Sequence, residues 1–474
     1  MAAITVIGGG LAGVEAAWAA ARQGSDVRLM EMRPVSRTPA HQTGLLAELV
    51  CSNSLKSERL EDCSGLLKAE MRRLGSLVLA VAEECRVPAG SALAVDRMAF
   101  AEGITARITA HPRIAVVREE ARAVPPDRPC VVATGPLTSD PLTANLQSLF
   151  AAYLERTEER GLRTEGTAQT QSSVLVPRLA TSGGAPGSRL LAFYDAISPI
   201  VGADSVDRTV AFAASRYGVG GEDYLNCPLD REAYRAFHAA LLSADEYPAH
   251  AFEDVAYFEG CLPIEVLARR GEDTLRYGPM RPVGLADPRT GRRPYAVVQL
   301  RRENREGTMY NLVGFQTRLR RGEQGRVLRM IPGLWRAEVL RYGSLHRNTF
   351  VCAPALLDPT LQFRGDPHLL LAGQLVGVEG YLESAAAGML AGINAARLVR
   401  GAAALAPPTS TALGAILLHI TSARAEGFQP MNVNWGLLPP LASPVGDRGA
   451  RNHALAQRAL RDLEVFAAAV ETGG

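Results

Sequence analysis

Short apolar runs and a helical segment alternate at the start of the chain. Ile4–Ile7 form an apolar, largely β-branched run, and Val27–Glu31 form a second one that closes on a carboxylate. Between them lies alanine-rich sequence of helical character, which ends at Gly24. β-Branched runs of this length favour buried strands, and the intervening segment is long enough for a helix. The pattern predicts a βαβ unit over residues 4–31.

The same pattern predicts further elements along the chain. Apolar residues from Gly65 to about Cys85 recur at helical spacing and predict one helix. Apolar runs at 114–117 and 130–133 predict strands, and the second runs into Ala133-Thr134-Gly135. A buried strand at 369–373, a glycine-rich turn and a small-residue helix through Arg397 repeat the strand–turn–helix order. The last part of the chain, from Asn452, is typical of one amphipathic helix.

The middle of the chain has a different texture. Short strands such as 209–212 and 295–300 alternate with loops rich in glycine, proline and arginine. We interpret this part as an inserted substrate domain. The predicted division is residues 1–144 and 336–405 for the two parts of the first domain, 145–335 for the insertion, and 406–474 for a C-terminal helical segment.

The turn after the first strand carries the motif Gly8-Gly9-Gly10-Leu11-Ala12-Gly13. In a βαβ unit the first glycine of such a motif permits the tight turn, the second lets a pyrophosphate approach, and the third lets helix and strand pack closely. The helix N-terminus then offers NH groups and a positive dipole to the anion. Glu31 follows Gly13 by eighteen residues and is predicted to bind an adenosine ribose.

This unit alone is compatible with FAD, NAD(P) or the adenosyl group of a methyl donor. The returning strand and turn at 369–381 favour FAD, because a methyl-donor domain would not need them. No second glycine motif has its own βαβ context, so a nicotinamide reductant would lack a full binding domain here. The candidate cofactor-binding residues are Gly8, Gly9, Gly10, Leu11, Ala12, Gly13, Glu31, Met32, Arg33, Gly135, Gly373, Gln374, Gly380 and Tyr381.

Composition narrows the class of protein. The chain has 474 residues, of which 47% are hydrophobic and 21% charged, as in an ordinary globular protein of two or three domains. No apolar stretch approaches the ~20 residues of a membrane span, and we expect a cytoplasmic protein with no membrane association. The seven cysteines include no CxxC pair, which argues against a zinc site and a disulfide reductase.

Charge is distributed unevenly, although the net charge is only +2. Between Val266 and Arg336 there are sixteen arginines against six acids, and the rest of the chain is net acidic. Such a surplus suits a polyanion, because the arginine fork matches phosphate. A solvated face in an arginine-rich protein, which has only Lys56 and Lys68 as lysines, explains it equally well.

Several stretches taken in order resemble one family, the bacterial folate- and FAD-dependent tRNA (uracil-5-)-methyltransferases. They span most of the chain, which makes the resemblance far more specific than the glycine motif. The matching stretches are 8–13, 31–34, 39–41, 48–54, 224–228, 258–263, 314–317, 346–349, 373–374 with 377–381, and 429–432. Just beyond the last stretch, Val433 and Trp435 depart from the residues expected.

The resemblance implies an α/β fold: a glutathione-reductase-like FAD-binding Rossmann domain with an inserted α+β substrate domain. It implies methylation of a T-loop uridine of tRNA to 5-methyluridine, with methylenetetrahydrofolate as carbon donor, reduced FAD as electron source and NADH or NADPH as reductant. No obligate protein partner is expected. The family's two reactive cysteines correspond to Cys51 and Cys227.

The implied chemistry explains the need for two such groups. A thiolate added to uracil C6 creates electron density at C5, and a base must later remove the C5 proton. We hypothesise that Cys227 attacks C6 and Cys51 is the base, with the reverse assignment open. Either thiol needs a lowered pKa, and Arg216 is a candidate neighbour of Cys227. The target base must also leave its stack to react.

Other residues and functions stay open at this point. His41 is as well suited to a flavin or pteridine contact as to a loop role, whereas His346, Tyr342 and Tyr381 more often serve packing or structural hydrogen bonds. The alternatives are the related flavoprotein that carboxymethylaminomethylates the wobble uridine with a partner protein, a small-molecule flavin oxidoreductase, and a non-catalytic flavin-bearing RNA-binding protein.

Overall fold

The structure is a computed structural model. It describes residues 3–38, 40–165, 190–196, 198–219, 221–247, 262–343, 345–423, 425, 428–443 and 445–472, without the side chains of 158–165, 190–196 and 345–348. The strands are β1 Ile4–Ile7, β2 Val27–Glu31, β3 Ser54–Ser57, β4 Arg86–Val87, β5 Ala92–Val95, β6 Ile114–Arg118, β7 Cys130–Val132, β8 Leu190–Ala196, β9 Ile200–Gly202, β10 Phe212–Ala213, β11 Tyr224–Leu229, β12 Ala296–Arg302, β13 Met309–Leu312, β14 Val339–Arg341, β15 Leu345–Val351, β16 Gln362–Phe363 and β17 Asp366–Leu371.

Helices connect these strands and cover their faces. The α-helices are α1 Leu11–Arg22, α2 Cys63–Arg73, α3 Leu77–Glu84, α4 Arg97–Ala110, α5 Asp140–Glu165, α6 Arg231–Ser243, α7 Ile264–Arg269, α8 Thr274–Tyr277, α9 Arg321–Leu328, α10 Ala353–Leu356, α11 Tyr381–Val399, α12 Ala412–Ser422 and α13 Arg448–Glu471. Short 3-10 helices lie at Gly135–Leu137, Ala203–Ser205, Arg216–Gly218 and Gly373–Val376.

The predicted βαβ unit is confirmed and lies in the centre of the first sheet. In the described part of the chain this sheet has six strands in the order β16-β17-β7-β1-β2-β6. The pairs from β17 to β6 are parallel, with Ile4 opposite Val27, and only β16 runs antiparallel to its neighbour. Strand β1 is fully buried, as expected for a parallel strand covered on both faces.

The returning segment packs directly on the first helix. A Cβ at Gly388 would lie 2.0 Å from the Ala12 carbonyl oxygen, and one at Gly392 would lie 2.1 Å from that of Ala16. Only glycine therefore permits helices α1 and α11 to approach so closely. This contact brings the two chain segments predicted to hold a cofactor to one edge of the sheet.

A second sheet forms the middle of the molecule. Among the described residues its order is β10-β11-β12-β13-β9-β14, with antiparallel pairing throughout. Its own hydrophobic core runs from Val201 to Ala337, separate from the core of the first sheet. Strands β8 and β15 pair with each other, and β3, β5 and β4 form a small third sheet. The boundaries 145, 335 and 405 stay predictions.

Two predicted elements differ from the structure. The single helix expected over 65–85 is two helices, because Gly75 adopts a φ of +82° and the Ser76 side chain caps α3 by accepting from the Leu79 NH. The strand expected at 209–212 is shorter, since Thr209 and Val210 lie in a turn before β10. Strands predicted at 114–117, 130–133 and 295–300 are confirmed as β6, β7 and β12.

Within the ranges described above, no helix is both long and apolar enough to cross a bilayer.

Candidate functional site

A deep cavity lies at the carboxyl ends of β1, β2 and β7. It encloses about 1020 Å³, its open mouth included. The N-terminal turns of α1 and α11 complete its wall. Of the candidate cofactor-binding residues, those that line it are Gly8, Gly9, Gly10, Leu11, Ala12, Glu31, Met32, Arg33, Gly135, Gln374 and Tyr381. Gly13, Gly373 and Gly380 are not among the described lining residues.

The glycines of the first turn have distinct structural roles. Gly8 has a φ of +105°, and a Cβ there would lie 2.6 Å from the Ala133 carbonyl oxygen. A Cβ at Gly13 would lie 1.7 Å from the Gly8 carbonyl oxygen, so this glycine lets α1 pack on β1. A Cβ at Gly10 would meet no protein atom within 4 Å. The bare backbone at Gly10 therefore leaves space that a ligand can use.

Glu31 is held by the protein itself. Its Oε2 accepts a hydrogen bond from the Gly9 NH (2.7 Å), and its Oε1 accepts from the backbone NH and Nε of Arg33 (2.9 and 2.8 Å). Burial raises the pKa of Glu31, but the bonds and charge of Arg33 outweigh it and hold the pKa below its ordinary value. The carboxylate therefore stays ionised and lines the cavity beside the glycine turn. Its contact with a ribose stays a prediction.

Two helix N-termini meet at the cavity. The N-cap residues of α1 and α11 are Gly10 and Gly380, and neither has a side chain that could cap the helix. The NH groups of both first turns are therefore available to a negatively charged ligand. The uncapped termini, the open space at Gly10 and the ionised Glu31 fit a long anionic cofactor such as a dinucleotide.

The loop that carries Cys51 adjoins this cavity. The Tyr381 hydroxyl accepts hydrogen bonds from the NH groups of Cys51 (2.7 Å) and Ser52 (3.2 Å). Tyr381 and Val50 line the cavity, whereas neither Cys51 nor Cys227 is among the described lining residues. Burial, followed by the neighbouring Cys51, raises the pKa of Tyr381, so its hydroxyl stays protonated. Cys51 itself is half-buried.

Two arginines hold the same loop from the other side. Arg97 donates to the carbonyl oxygens of Leu49 (2.5 Å) and Cys51 (3.2 Å) and pairs with Glu303. Arg301, on β12, donates to Asn53 Oδ1 and Ser52 Oγ, both at 2.8 Å. The second sheet therefore fixes the loop that bears Cys51.

A lysine links this loop to helix α11 and the C-terminal segment. Lys56 has a φ of +64°, and its Nζ donates to Glu383 Oε1 (2.8 Å) and Asn432 Oδ1 (2.7 Å). Lys68 is fully buried and donates to the carbonyl oxygens of Lys56 and Ser57. These bonds hold the left-handed residue in place beside the N-terminus of α11.

Cys227 lies in a different environment. It is 0% exposed and belongs to the core of the second sheet, opposite Val298 of β12. Burial raises the pKa of its thiol to about 12. In this arrangement the side chain does not reach the cavity, and its catalytic role stays a prediction.

The expectation that Arg216 lowers the pKa of Cys227 is wrong. Side chains of a strand alternate between its two faces, and Asn226 occupies the face opposite Cys227. Arg216 lies on the Asn226 side, where its Nε donates to Gln299 Oε1 (2.9 Å) and Gln299 in turn donates to Asn226 (3.0 Å).

The remaining candidates divide according to position. His41 lines the cavity, with its Nδ1 2.6 Å from Thr38 Oγ1. Tyr342 is half-buried beside the Arg321 guanidinium. The side chain of His346 lies outside the described residues, as do Pro39 and residues 258–261 of the family-like stretches.

The arginine-rich segment 266–336 is partly neutralised. Between described residues, five of its arginines pair with acids: Arg269 and Arg318 with Glu246, Arg276 with Asp273, Arg289 with Asp287, and Arg326 with Glu323. Among the described residues, its exposed arginines without an acid partner are Arg281, Arg292, Arg293, Arg305, Arg320, Arg321, Arg329 and Arg336. The surplus is therefore real at the surface, but smaller than the sequence count.

Sequence reasoning missed Arg97, Arg301, Lys56 and Glu383 as parts of the site. Arg301 carried one signal, since it is a charged residue next to an otherwise apolar strand. The others gave none, because their partners are distant in the chain.

One family model and several named proteins match this chain. The family model described as glucose inhibited division protein A matches residues 3–403. Proteins named methylenetetrahydrofolate–tRNA-(uracil-5-)-methyltransferase TrmFO are similar over nearly their whole length. That of Moorella thermoacetica is 55% identical over 457 residues, 96% of each chain, and that of Heliobacterium modesticaldum is 54% identical over 465 residues, 98% of each. That of Geobacter sulfurreducens is 54% identical over 469 residues, 99% of each.

Solved structures resemble the fold at lower identity. Two crystal forms of Aquifex aeolicus GidA superimpose with TM-scores of 0.63 and 0.66 at 16% identity. They cover 98% of this chain, which covers 73% and 76% of theirs. These structures support the α/β dinucleotide-binding fold. Because its relatives match end to end at more than half of all positions, the chain belongs to the methylenetetrahydrofolate–tRNA-(uracil-5-)-methyltransferase family.

Proposed function

We propose that this protein methylates a T-loop uridine of tRNA at C5, with methylenetetrahydrofolate as the carbon donor. The observation that carries the proposal is the match of 54–55% identity across 96–99% of both chains to proteins named for this reaction. The described cavity supports it, because its edge holds a thiol-bearing loop. We further propose that the reaction takes place in the cytoplasm.

FAD is the proposed cofactor of the cavity. Its pyrophosphate would lie on the NH groups that follow Gly10, and its adenosine ribose would contact Glu31. Gly135, Gln374 and Tyr381 would contact the remaining part. Bound and reduced, FAD supplies the hydride that converts a one-carbon unit at C5 into a methyl group. NADH or NADPH is the proposed reductant.

Cys51 is the thiol that the geometry supports best for direct action on the base. Uracil C5 becomes nucleophilic only when a thiolate adds to C6, and that thiolate leaves again when the C5 proton is removed. Tyr381 and Arg97 hold the backbone of Cys51, which keeps this residue next to Val50 and Tyr381 of the cavity lining. Cys227 can serve as the second group only if β11 exposes its buried thiol.

The proposal is tested by the source of the transferred carbon. Unmodified tRNA should gain label from methylenetetrahydrofolate carrying a labelled methylene, and none from labelled S-adenosylmethionine. The label should be found in 5-methyluridine after nuclease digestion. Turnover of a small substrate together with indifference to tRNA would instead support a flavin oxidoreductase.

The covalent part of the mechanism has its own test. Cys51→Ala and Cys227→Ala should each abolish carbon transfer while the flavin absorbance is retained. Cys85→Ala, which removes another buried thiol, is the matched control and should remain active. Full activity of the Cys51→Ala/Cys227→Ala double variant would rule out thiolate catalysis.

The wobble-uridine modification of the related flavoproteins is less well supported. The GidA structures share the fold at 16% identity, and about a quarter of each of those chains has no counterpart here. The relatives matched end to end carry the uracil-5 name instead. Detection of a carboxymethylaminomethyl group on the product tRNA would reverse this preference.

A further inference from the structure

An exposed aromatic ring stands at the edge of the second sheet. Tyr217, in the 3-10 turn Arg216–Gly218, is 65% exposed. Its backbone has φ 57° and ψ 20°, a left-handed conformation that large side chains rarely adopt. A bulky residue that is both strained and exposed must be held there by its surroundings, and such positions cluster at functional sites.

Two hydrogen bonds to the segment 283–284 hold this turn. The Tyr217 NH donates to the Gly284 carbonyl oxygen (2.9 Å), and Arg216 Nη1 donates to that of Val283 (2.8 Å). The Tyr217 ring lies flush against Gly284, where a Cβ would be 3.0 Å from two ring carbons. The ring is therefore fixed in position before any ligand arrives, with one side supported by the protein.

Two arginines beside this ring lack acid partners. Arg281 Nη2 donates to the Tyr217 hydroxyl (2.9 Å). Burial lowers the pKa of the neighbouring Arg216, and the positive charge of Arg281 lowers it further. Within the described ranges, neither guanidinium makes an ion pair with a carboxylate. Nearby Arg276 and Arg289 do make one. The positive charge at the Tyr217 turn is thus left for an external anion.

The turn lies on the face of the sheet that leads to the Cys51 loop. Arg301 contacts Ser52 at one end and is paired with Tyr224 across β11 and β12. Two residues further along β11, Asn226 bonds to Gln299, and Gln299 accepts from Arg216. A polar path therefore runs from the thiol-bearing loop to Tyr217 along one face.

We propose that Tyr217 and Arg281 form a docking site for an unpaired segment of the tRNA, in which a nucleobase stacks on the ring and Arg281 binds a phosphate. The proposal rests on the tRNA substrate proposed above and assigns a surface to it. Aromatic rings beside unpaired cations are the usual means of holding single-stranded RNA, because every base has a stacking face and every nucleotide a phosphate. The rigid turn lowers the ordering cost of that contact.

The test compares tRNA binding by purified, flavin-containing variants. Tyr217→Ala should weaken the affinity for unmodified tRNA by on the order of tenfold, while Tyr217→Phe should bind nearly as tightly as the wild type, because stacking survives without the hydroxyl. Arg281→Ala should weaken binding and reduce the slope of log affinity against log salt by about one. Thermal unfolding and flavin absorbance should match the wild type in all three.

Tyr277→Ala is the matched control, since Tyr277 is 79% exposed and, among the described residues, has no arginine bonded to its hydroxyl. It should leave tRNA affinity unchanged. If the Tyr217→Ala and Arg281→Ala variants bind tRNA as tightly as the wild type, and the wild type transfers carbon, the docking site is overturned and the proposed function stands. A wild-type protein that neither binds tRNA nor transfers carbon to it would overturn both.

Discussion

Single glycines decide whether the cavity can exist and what it can hold. Gly13 and Gly10 belong to the same turn but face different surroundings: the first faces the Gly8 carbonyl oxygen and the second faces open space. A side chain at the first position collides with the fold, whereas one at the second collides only with a ligand. An added methyl group should therefore affect folding at Gly13 and cofactor binding at Gly10.

We therefore expect opposite outcomes for two alanine substitutions. Gly13→Ala places a Cβ 1.7 Å from backbone and should lower the thermal unfolding temperature of the flavin-free protein markedly, through overpacking that costs ~1–3 kcal/mol or more. Gly10→Ala should leave that temperature unchanged and reduce the flavin bound per chain. Thermal scans of the flavin-free protein and the absorbance of bound flavin measure the two effects. Equal flavin retention by Gly10→Ala and wild type would contradict a cofactor on this turn.

The N-termini of α3 and α12 are closed by buried carboxylates from other helices. Glu15 of α1 accepts from the NH groups of Leu77 and Val78 at the start of α3. Glu70 of α2 accepts from those of Ala412 and Leu413 at the start of α12 (2.7 and 2.9 Å). Each carboxylate satisfies backbone groups that the helix cannot satisfy itself. The Glu70 contacts also tie the C-terminal segment to the first domain.

Burial makes this arrangement sensitive to pH. It raises the pKa of Glu70 from 4.5 to about 7, so the folded state binds a proton that the unfolded state has already released. Its contribution to the free energy of unfolding should therefore be largest at and below about pH 4.5, fall as the pH rises to about 7, and stay constant above that. The change is on the order of 3 kcal/mol.

Glu70→Gln should flatten this part of the pH profile. Urea unfolding between about pH 5 and 8 measures the slope for wild type and variant. Glu102→Gln is the control, because Glu102 is exposed on α4 and its replacement should leave the slope as in wild type. A steeper decline in the Glu70→Gln variant would contradict the assignment.

The whole molecule joins a dinucleotide-binding half to a basic half. Glu303, directly after β12, pairs with Arg97, and Arg301 holds Asn53, so the two halves share the loop that carries Cys51. The exposed unpaired arginines lie in the same half as Arg301. A polyanion bound there would approach the cavity from the side on which Cys51 is held.

Binding of tRNA should accordingly depend steeply on salt. Because each neutralised phosphate releases counterions, we expect the affinity to fall by at least tenfold between about 50 and 200 mM salt. Replacement of Arg292 and Arg293 by alanine should reduce the slope of log affinity against log salt. Arg113→Ala, which removes an arginine already paired with Asp26 outside the segment, should not. An affinity that ignores salt would contradict the polyanion surface.

Much of the fold could be predicted because it depends on local pattern. The glycine turn, the βαβ unit and the returning strand require only residues close in sequence, and their periodicity shows which strands are buried. The break between α2 and α3 also had a local signal, a glycine followed by a serine N-cap, which the longer apolar repeat obscured. The α/β class and its inserted domain followed from these elements and from the family-like stretches.

The sequence by itself determined the dinucleotide turn and the arginine-rich segment, since each depends on residue type at given positions, and the family-like stretches pointed to the two candidate cysteines. Only the tertiary structure decided that Tyr381, 330 residues from Cys51, holds its loop, and that Cys227 faces a core while Arg216 lies on the opposite face. The two-residue period of a strand shows that neighbouring side chains point to opposite faces, but not which face is buried against the rest of the protein. That depends on how distant segments pack, because burial is a property of the assembled chain.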